Sequence, residues 1–233
     1  MKLLAIETAT EACSAALLID DQTELRYEIK PRGHSELILS MMDELLAEAG
    51  LSASQLDAMA FGRGPGSFTG VRIATGVIQG AAFAADLPVV PVSTLAALAQ
   101  RAYREKGEPN LLTAFDARMG ELYWAGYRVD SNEIVRLVID EQVANSDLVQ
   151  LPLDQEWYGV GSGWGVYGPQ LGARLGESLL GYKADLYCSA RDVATLAAVD
   201  FEAGLAVPAE RALPVYLRNE VAHKKVKSAN ERE

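Results

Sequence analysis

Histidine is scarce in this chain: His34 and His223 are the only two. No HxxxH or HExxH pair occurs, and four metal ligands cannot be assembled by spacing, so a metal centre is not expected. A Ser–His–Asp triad would have to use His34, with nothing around it to support that role; it reads as a helix-entry residue. Cysteine is equally rare. Cys13 and Cys188 are too far apart in sequence for a CxxC pair and too few for a disulfide framework, which leads to the expectation of a reducing cytoplasm. No run approaches the roughly 18 apolar residues of a membrane span. The opening MKLLAIETATEACS has too short an apolar stretch for a signal peptide and reads as a first strand. Positive charge is also in deficit, with 21 Lys and Arg against 32 Asp and Glu. A net charge of −11 repels phosphate backbones, so tight unaided binding of nucleic acid is not expected. The tail HKKVKSANERE is charged; it reads as a solvated run, with contact to RNA phosphates the sharper alternative.

What is present is an alternation of strand and helix patterns. Leu3 to Glu7 and Cys13 to Asp20 are apolar runs around a polar turn, Leu25 to Ile29 follows, and a helix is expected from about Ser35 to Ala49, closed by Gly50. Leu56 to Phe61 and Leu87 to Val92 read as strands, and Ser93 opens a helix to about Lys106. The pattern then recurs. LLTAFDARMGELYWAGYRVD, from Leu111, echoes LLAIETATEACSAALLIDD, from Leu3: each is an apolar strand ending in an acid (Glu7, Asp116), then a turn and a second strand. Strand Trp157–Val160 and helical stretches at Trp164–Leu175 and Ser189–Gly204 complete the second half. An α/β architecture of two similar halves is the expectation, the plan shared by sugar kinases, actin and heat-shock ATPases.

The most glycine-rich stretch is AFGRGPGSFTGVRIATGVIQG, Ala60 to Gly80. It lacks the lysine of a P-loop, and Ser67 stands where a dinucleotide fingerprint needs its third glycine. Two readings stay open: a tight strand-to-helix turn, or a helix N-terminus, capped by Ser67, that holds an anion. From Phe68 to Ala85 only Arg72 and Gln79 are strongly polar, and the apolar arc spans roughly 200°, twice what one buried face needs. The helix before it, with Ile38, Leu39, Met41, Met42, Leu45, Leu46 and Ala49, is also over-wide. Either this chain covers both sides or a partner covers one. Glu7, Thr10 and Asp116 are weak candidates for a nucleotide and Mg²⁺ site, because Ala9 and the glycine-poor turn after Asp116 replace the phosphate-approaching glycines. GVGSGWG, Gly159 to Gly165, would sit under an adenine or form a plain βα turn.

AIETATEACSAAL, GRGPGSFTGVRI, FDARMGELYWA and PVYLRN together resemble the TsaB (YeaZ) family of bacterial threonylcarbamoyladenosine biosynthesis subunits, over essentially the whole length. The resemblance implies a two-lobed actin-like, sugar-kinase and heat-shock-ATPase (ASKHA) fold with internal duplication and a truncated second lobe. It implies one lobe at 1–106, completed by a segment at about 212–225, and a second at 107–211. It implies a non-catalytic scaffold or activating subunit, partner to TsaD, which transfers threonylcarbamoyl to N6 of adenosine 37 in tRNAs reading codons that begin with A. The ATPase TsaE joins the assembly, and tRNA is met only through the complex, with no membrane involved. In TsaD a histidine-bearing segment holds the metal; here it is VSTLAAL, Val92 to Leu98, with Thr94 and Leu98 at the histidine positions. No cofactor is expected on this chain alone, ATP and metal being used by partner subunits. The family pairs, with TsaD or with itself, through the helices at about 35–49 and 68–85, which implies an interface of Leu39, Met42, Leu46, Gly70, Val71, Ala74, Val77, Ile78 and Ala81. The alternative is an independent enzyme, a peptidase or small-molecule kinase of the same fold.

Overall fold

The computed structural model describes residues 1–153 and 155–218. His223, the charged tail and the end of the expected 212–225 segment lie outside the described residues.

The first sheet contains β1 (Lys2–Glu7), β2 (Ala12–Ile19), β3 (Gln22–Ile29), β4 (Ala58–Gly62) and β5 (Val89–Val92), in the order β3-β2-β1-β4-β5. The second contains β6 (Asn110–Arg118), β7 (Glu121–Val129), β8 (Val135–Asn145), β9 (Trp157–Val160) and β10 (Leu179–Lys183), in the order β8-β7-β6-β9-β10. Strand for strand the two are the same. An antiparallel three-strand meander is extended on its first strand by two parallel strands. The duplication echoed in the sequence is therefore a duplication of topology, and the chain has the two-lobed ASKHA fold. The second lobe is the shorter one in helices. α1 (His34–Glu48) connects β3 to β4, whereas no helix stands between β8 and β9 among the described residues.

Helix boundaries follow local chemistry. α2 (Phe68–Ala85) is capped by Ser67, whose Oγ accepts the Gly70 N–H, and α3 (Thr94–Lys106) by Ser93, whose Oγ accepts that of Ala96. Gly107, in the left-handed region, ends α3. α4 (Ser162–Leu175) and α5 (Ala190–Glu202) follow β9 and β10. β10 escapes the sequence pattern because it is a short edge strand interrupted by Gly181 at φ +150°, where its register slips.

The layers depart from the expected division at Lys106. α1 and α2 cover the outer face of the first sheet, and α4 covers the outer face of the second. Between the sheets lie α3 and α5, and each packs on the sheet of the other half: α3 against β6 and β8, α5 against β1, β2 and β4. The segment 107–211 thus contributes a helix to the first lobe, and 1–106 contributes one to the second. The central strands are buried on both faces, and the exchanged helices cover the inner one. Arg104 of α3 ties the exchange through a bidentate pair with Asp192 of α5, at 2.9 and 3.0 Å; that carboxyl is 1% exposed, and burial pushes it up despite the guanidinium.

Candidate functional site

Where the β1–β2 and β6–β7 turns face each other, a cleft of about 750 Å³ opens between the lobes. Thr10 and Asp116 line it. Glu7 does not. It is wholly buried beneath β4, where a Cβ on Gly62 would stand 1.8 Å from its Oε2. Its Oε1 accepts the Ala9 N–H at 2.6 Å, while Oε2 is buried without a hydrogen-bond partner. Burial raises this carboxyl to about 7, against the opposing pull of donors from Ala9, Thr94 and Thr8.

Several backbone donors of the turns are engaged within the chain. Ala9 N–H goes to Glu7, Ser67 N–H to the Ala9 carbonyl at 2.8 Å, Asp116 N–H to Ser162 Oγ, and Arg118 N–H to Asp116 Oδ1. The glycine-rich stretch is the tight turn: a Cβ on Gly66 would meet the Ala9 carbonyl at 2.6 Å, and one on Gly70 the Thr8 carbonyl at 2.0 Å. GVGSGWG is the β9–α4 turn, with Gly163 against Ala114. With these donors taken and Ala9 in place of a glycine, the two turns offer a phosphate fewer backbone contacts. A metal fits no better. Thr94 Oγ1 takes the Gly64 N–H at 3.1 Å, Leu98 is sealed in the inter-sheet core, and among the described residues no three His, Cys, Asp or Glu side chains group together. His34 is also committed. Its Nε2 lies 2.8 Å from the Thr10 carbonyl, which can only accept, so that nitrogen donates and the buried ring is held against the β1–β2 turn.

Four arginines surround the cleft, which composition did not foretell in an acidic chain: Arg32, Arg72, Arg118 and Arg218. Arg72 lies 3.7 Å over the Phe68 ring and donates to Tyr216 Oη at 2.9 Å. Arg218 reaches Glu121 and the Arg118 carbonyl, so residues after Ala212 strap α2 to the β6–β7 turn across the cleft. The signal was the pairing of Arg72 with aromatic Phe68 and Tyr216; it joins positions 144 apart and is invisible to local spacing.

The expected interface residues divide into two groups. Gly70, Val71, Ala74 and Ile78 of α2, and Met42 of α1, are buried inside this chain, with Ala74 and Ile78 fully enclosed. They are corrected from interface to core: the first sheet already occupies that half of the arc. Leu39, Leu46, Val77 and Ala81 remain exposed or half-buried. The other half of the arc faces outward as a stripe of Thr69, Ile73, Gly76, Gly80 and Phe83, at three- and four-residue spacing. Phe83 is 77% exposed, and a Cβ on Gly76 or Gly80 would meet nothing within 4 Å.

Comparison with known proteins places this geometry. A family model described as tRNA N6-adenosine threonylcarbamoyltransferase (TsaD) matches residues 27–226. The tRNA threonylcarbamoyladenosine biosynthesis protein TsaB of Escherichia coli is 45% identical over 97% of this chain and 98% of its own length. That of Haemophilus influenzae is 42% identical, over 97% of each. The crystal structure of YeaZ from Pseudomonas aeruginosa is 48% identical, covers 93% of this chain and 99% of its own, and superposes with a TM-score of 0.86.

Proposed function

The chain belongs to the TsaB family of tRNA threonylcarbamoyladenosine biosynthesis proteins, and from that premise we propose that it is the non-catalytic, activating subunit of the threonylcarbamoyl transferase. In this reading it pairs with a TsaD-type catalytic subunit that modifies N6 of adenosine 37, and the ATPase TsaE and tRNA join the assembly rather than this chain alone. The observation that carries the reading is the open face of α2, where the uncovered Gly76 and Gly80 lie beside exposed Phe83. Small residues bring helix axes close, and a bulky aromatic next to them supplies an anchor. The same face serves self-association, so homodimer and heterodimer compete for it. Lack of catalysis is supported by the turn donors held within the chain and by Thr94 and Leu98 at the histidine positions. A cytoplasmic site of action is part of the proposal; no described helix is long and apolar enough to cross a membrane.

The test uses the full chain with the TsaD-type and TsaE-type subunits of its own organism and unmodified tRNA. Threonylcarbamoyl transfer should require this chain, which by itself should neither hydrolyse ATP nor cleave peptides. Alone it should also bind ATP weakly, with no submicromolar association in calorimetry. Full transfer without this chain, or turnover of ATP or peptide by it alone, would overturn the proposal.

A further inference from the structure

Arg63, inside the glycine-rich stretch, plays no part in the cleft. It reaches instead to Glu141 of β8, at 3.4 Å. Glu141 is 11% exposed, and its other oxygen takes the hydroxyl of buried Tyr127 at 3.1 Å, so each of its oxygens has a partner. Beside this contact lies a second cavity, of about 250 Å³, bounded by β5, α3, β8 and the end of α5. Its walls are apolar at Pro91, Ala96, Val135 and Leu196. Its charged lining is Arg63 and Arg136 against Glu141 and Asp200, with Arg136 paired to Asp130 at 2.7 Å.

The unused bonding capacity is specific. Arg63 spends one Nη on Glu141, and its Nε and other Nη have no partner among the described residues. Asp200 is half-buried and makes no side-chain hydrogen bond or ion pair among the described residues, although Arg63 and Arg136 both act on it electrostatically. A carboxylate and a guanidinium thus face one small cavity, part apolar and part polar, without closing on each other. A pure anion would leave Asp200 repelled, and a pure cation would do the same to the arginines. A neutral ligand carrying both charges satisfies both. The volume lies below the roughly 300–1,000 Å³ of cavities for drug-sized ligands, which excludes a nucleotide and admits a molecule the size of an amino acid. We propose that this cavity binds a small zwitterion, an α-amino acid with a short aliphatic side chain, its carboxylate on Arg63 and its ammonium on Asp200. The site is separate from the α2 face, and stands or falls apart from the subunit reading.

The test is a ¹H–¹⁵N NMR titration of the full chain with L-valine. Isobutyrate and isobutylamine serve as probes carrying one charge each. L-valine should give saturable shifts around Arg63 and Asp200 with a Kd of about 1 mM or tighter, and each single-charge probe should bind at least about tenfold more weakly. Asp200→Asn should weaken L-valine at least about tenfold, and Ala96→Leu, which fills the cavity, should abolish its shifts. Arg63→Gln should act like Asp200→Asn; if loss of the Glu141 contact unfolds it, the other two variants decide. No saturation by about 20 mM, equal binding of either single-charge probe, or L-valine shifts indifferent to both Asp200→Asn and Ala96→Leu would overturn the proposal.

Discussion

At the scale of single residues, Glu7 is the group whose surroundings most change its chemistry. The sequence marks it as an acid at a strand end, the position from which nucleotide-binding relatives of this fold hold a cation. What it cannot mark is Gly62, 55 positions later, whose missing side chain leaves room for the carboxyl in the interior. There the charged form loses its hydration, and the pKa rises from 4.5 to about 7. Since the folded state holds this proton more tightly than the unfolded chain, stability falls as pH rises from about 4.5 through 7 and levels off above. At 1.36 kcal/mol per pKa unit the contribution is at most roughly 3 kcal/mol. Glu7→Gln keeps the acceptor for Ala9 and removes the titration. Urea unfolding at about pH 5 and about pH 8 should show wild type losing more stability than the variant across this interval. Parallel losses in the two proteins would mean that Glu7 is ionised throughout.

Among the elements, α2 shows how one helix serves two surfaces. Its width was readable from the 3.6-residue period, since the apolar arc was too broad for one contact. Which half meets the sheet was not readable, because glycine carries no hydropathy signal to set the phase. The glycines themselves separate the faces. Gly70 lies against the Thr8 carbonyl, so Gly70→Ala forces backbone apart and should cost about 1–3 kcal/mol. Gly80 faces open space, so Gly80→Ala gains helix propensity and should stabilise by up to about 1 kcal/mol. Thermal unfolding of the two variants checks the assignment, and a lower Tm for Gly80→Ala than for Gly70→Ala would reverse the faces.

For the whole molecule, the same contrast tests pairing. Ala74 is 0% exposed within the outer core of the first lobe, so Ala74→Glu buries an unpaired charge and should yield insoluble or molten protein. Gly80→Glu places its charge in solvent, so it should fold as a monomer and lose association with a TsaD-type partner by about a hundredfold or more. Size-exclusion chromatography with light scattering, followed by co-purification, reads both outcomes. A folded Gly80→Glu that pairs normally would move the interface away from α2. A folded Ala74→Glu would contradict the packing itself.

Local pattern alone determined the order of strands and helices apart from β10, the serine caps and the internal duplication, because apolar period, capping chemistry and repetition act over a few residues or recur within one chain. The same local reading excluded a P-loop, a dinucleotide fingerprint and a histidine metal site, since each requires particular residues at fixed spacing. Only the tertiary structure decided the exchange of α3 and α5 between lobes, because an apolar helix face does not say which of two similar sheets it will cover. It alone decided that turn donors such as the Ala9 and Asp116 N–H groups find acceptors within the chain, that Arg72 meets Tyr216, and that Arg63 faces Glu141 and Asp200 rather than the cleft. Those contacts join residues up to 144 positions apart, brought together by burial of the sheets and encoded in no local spacing.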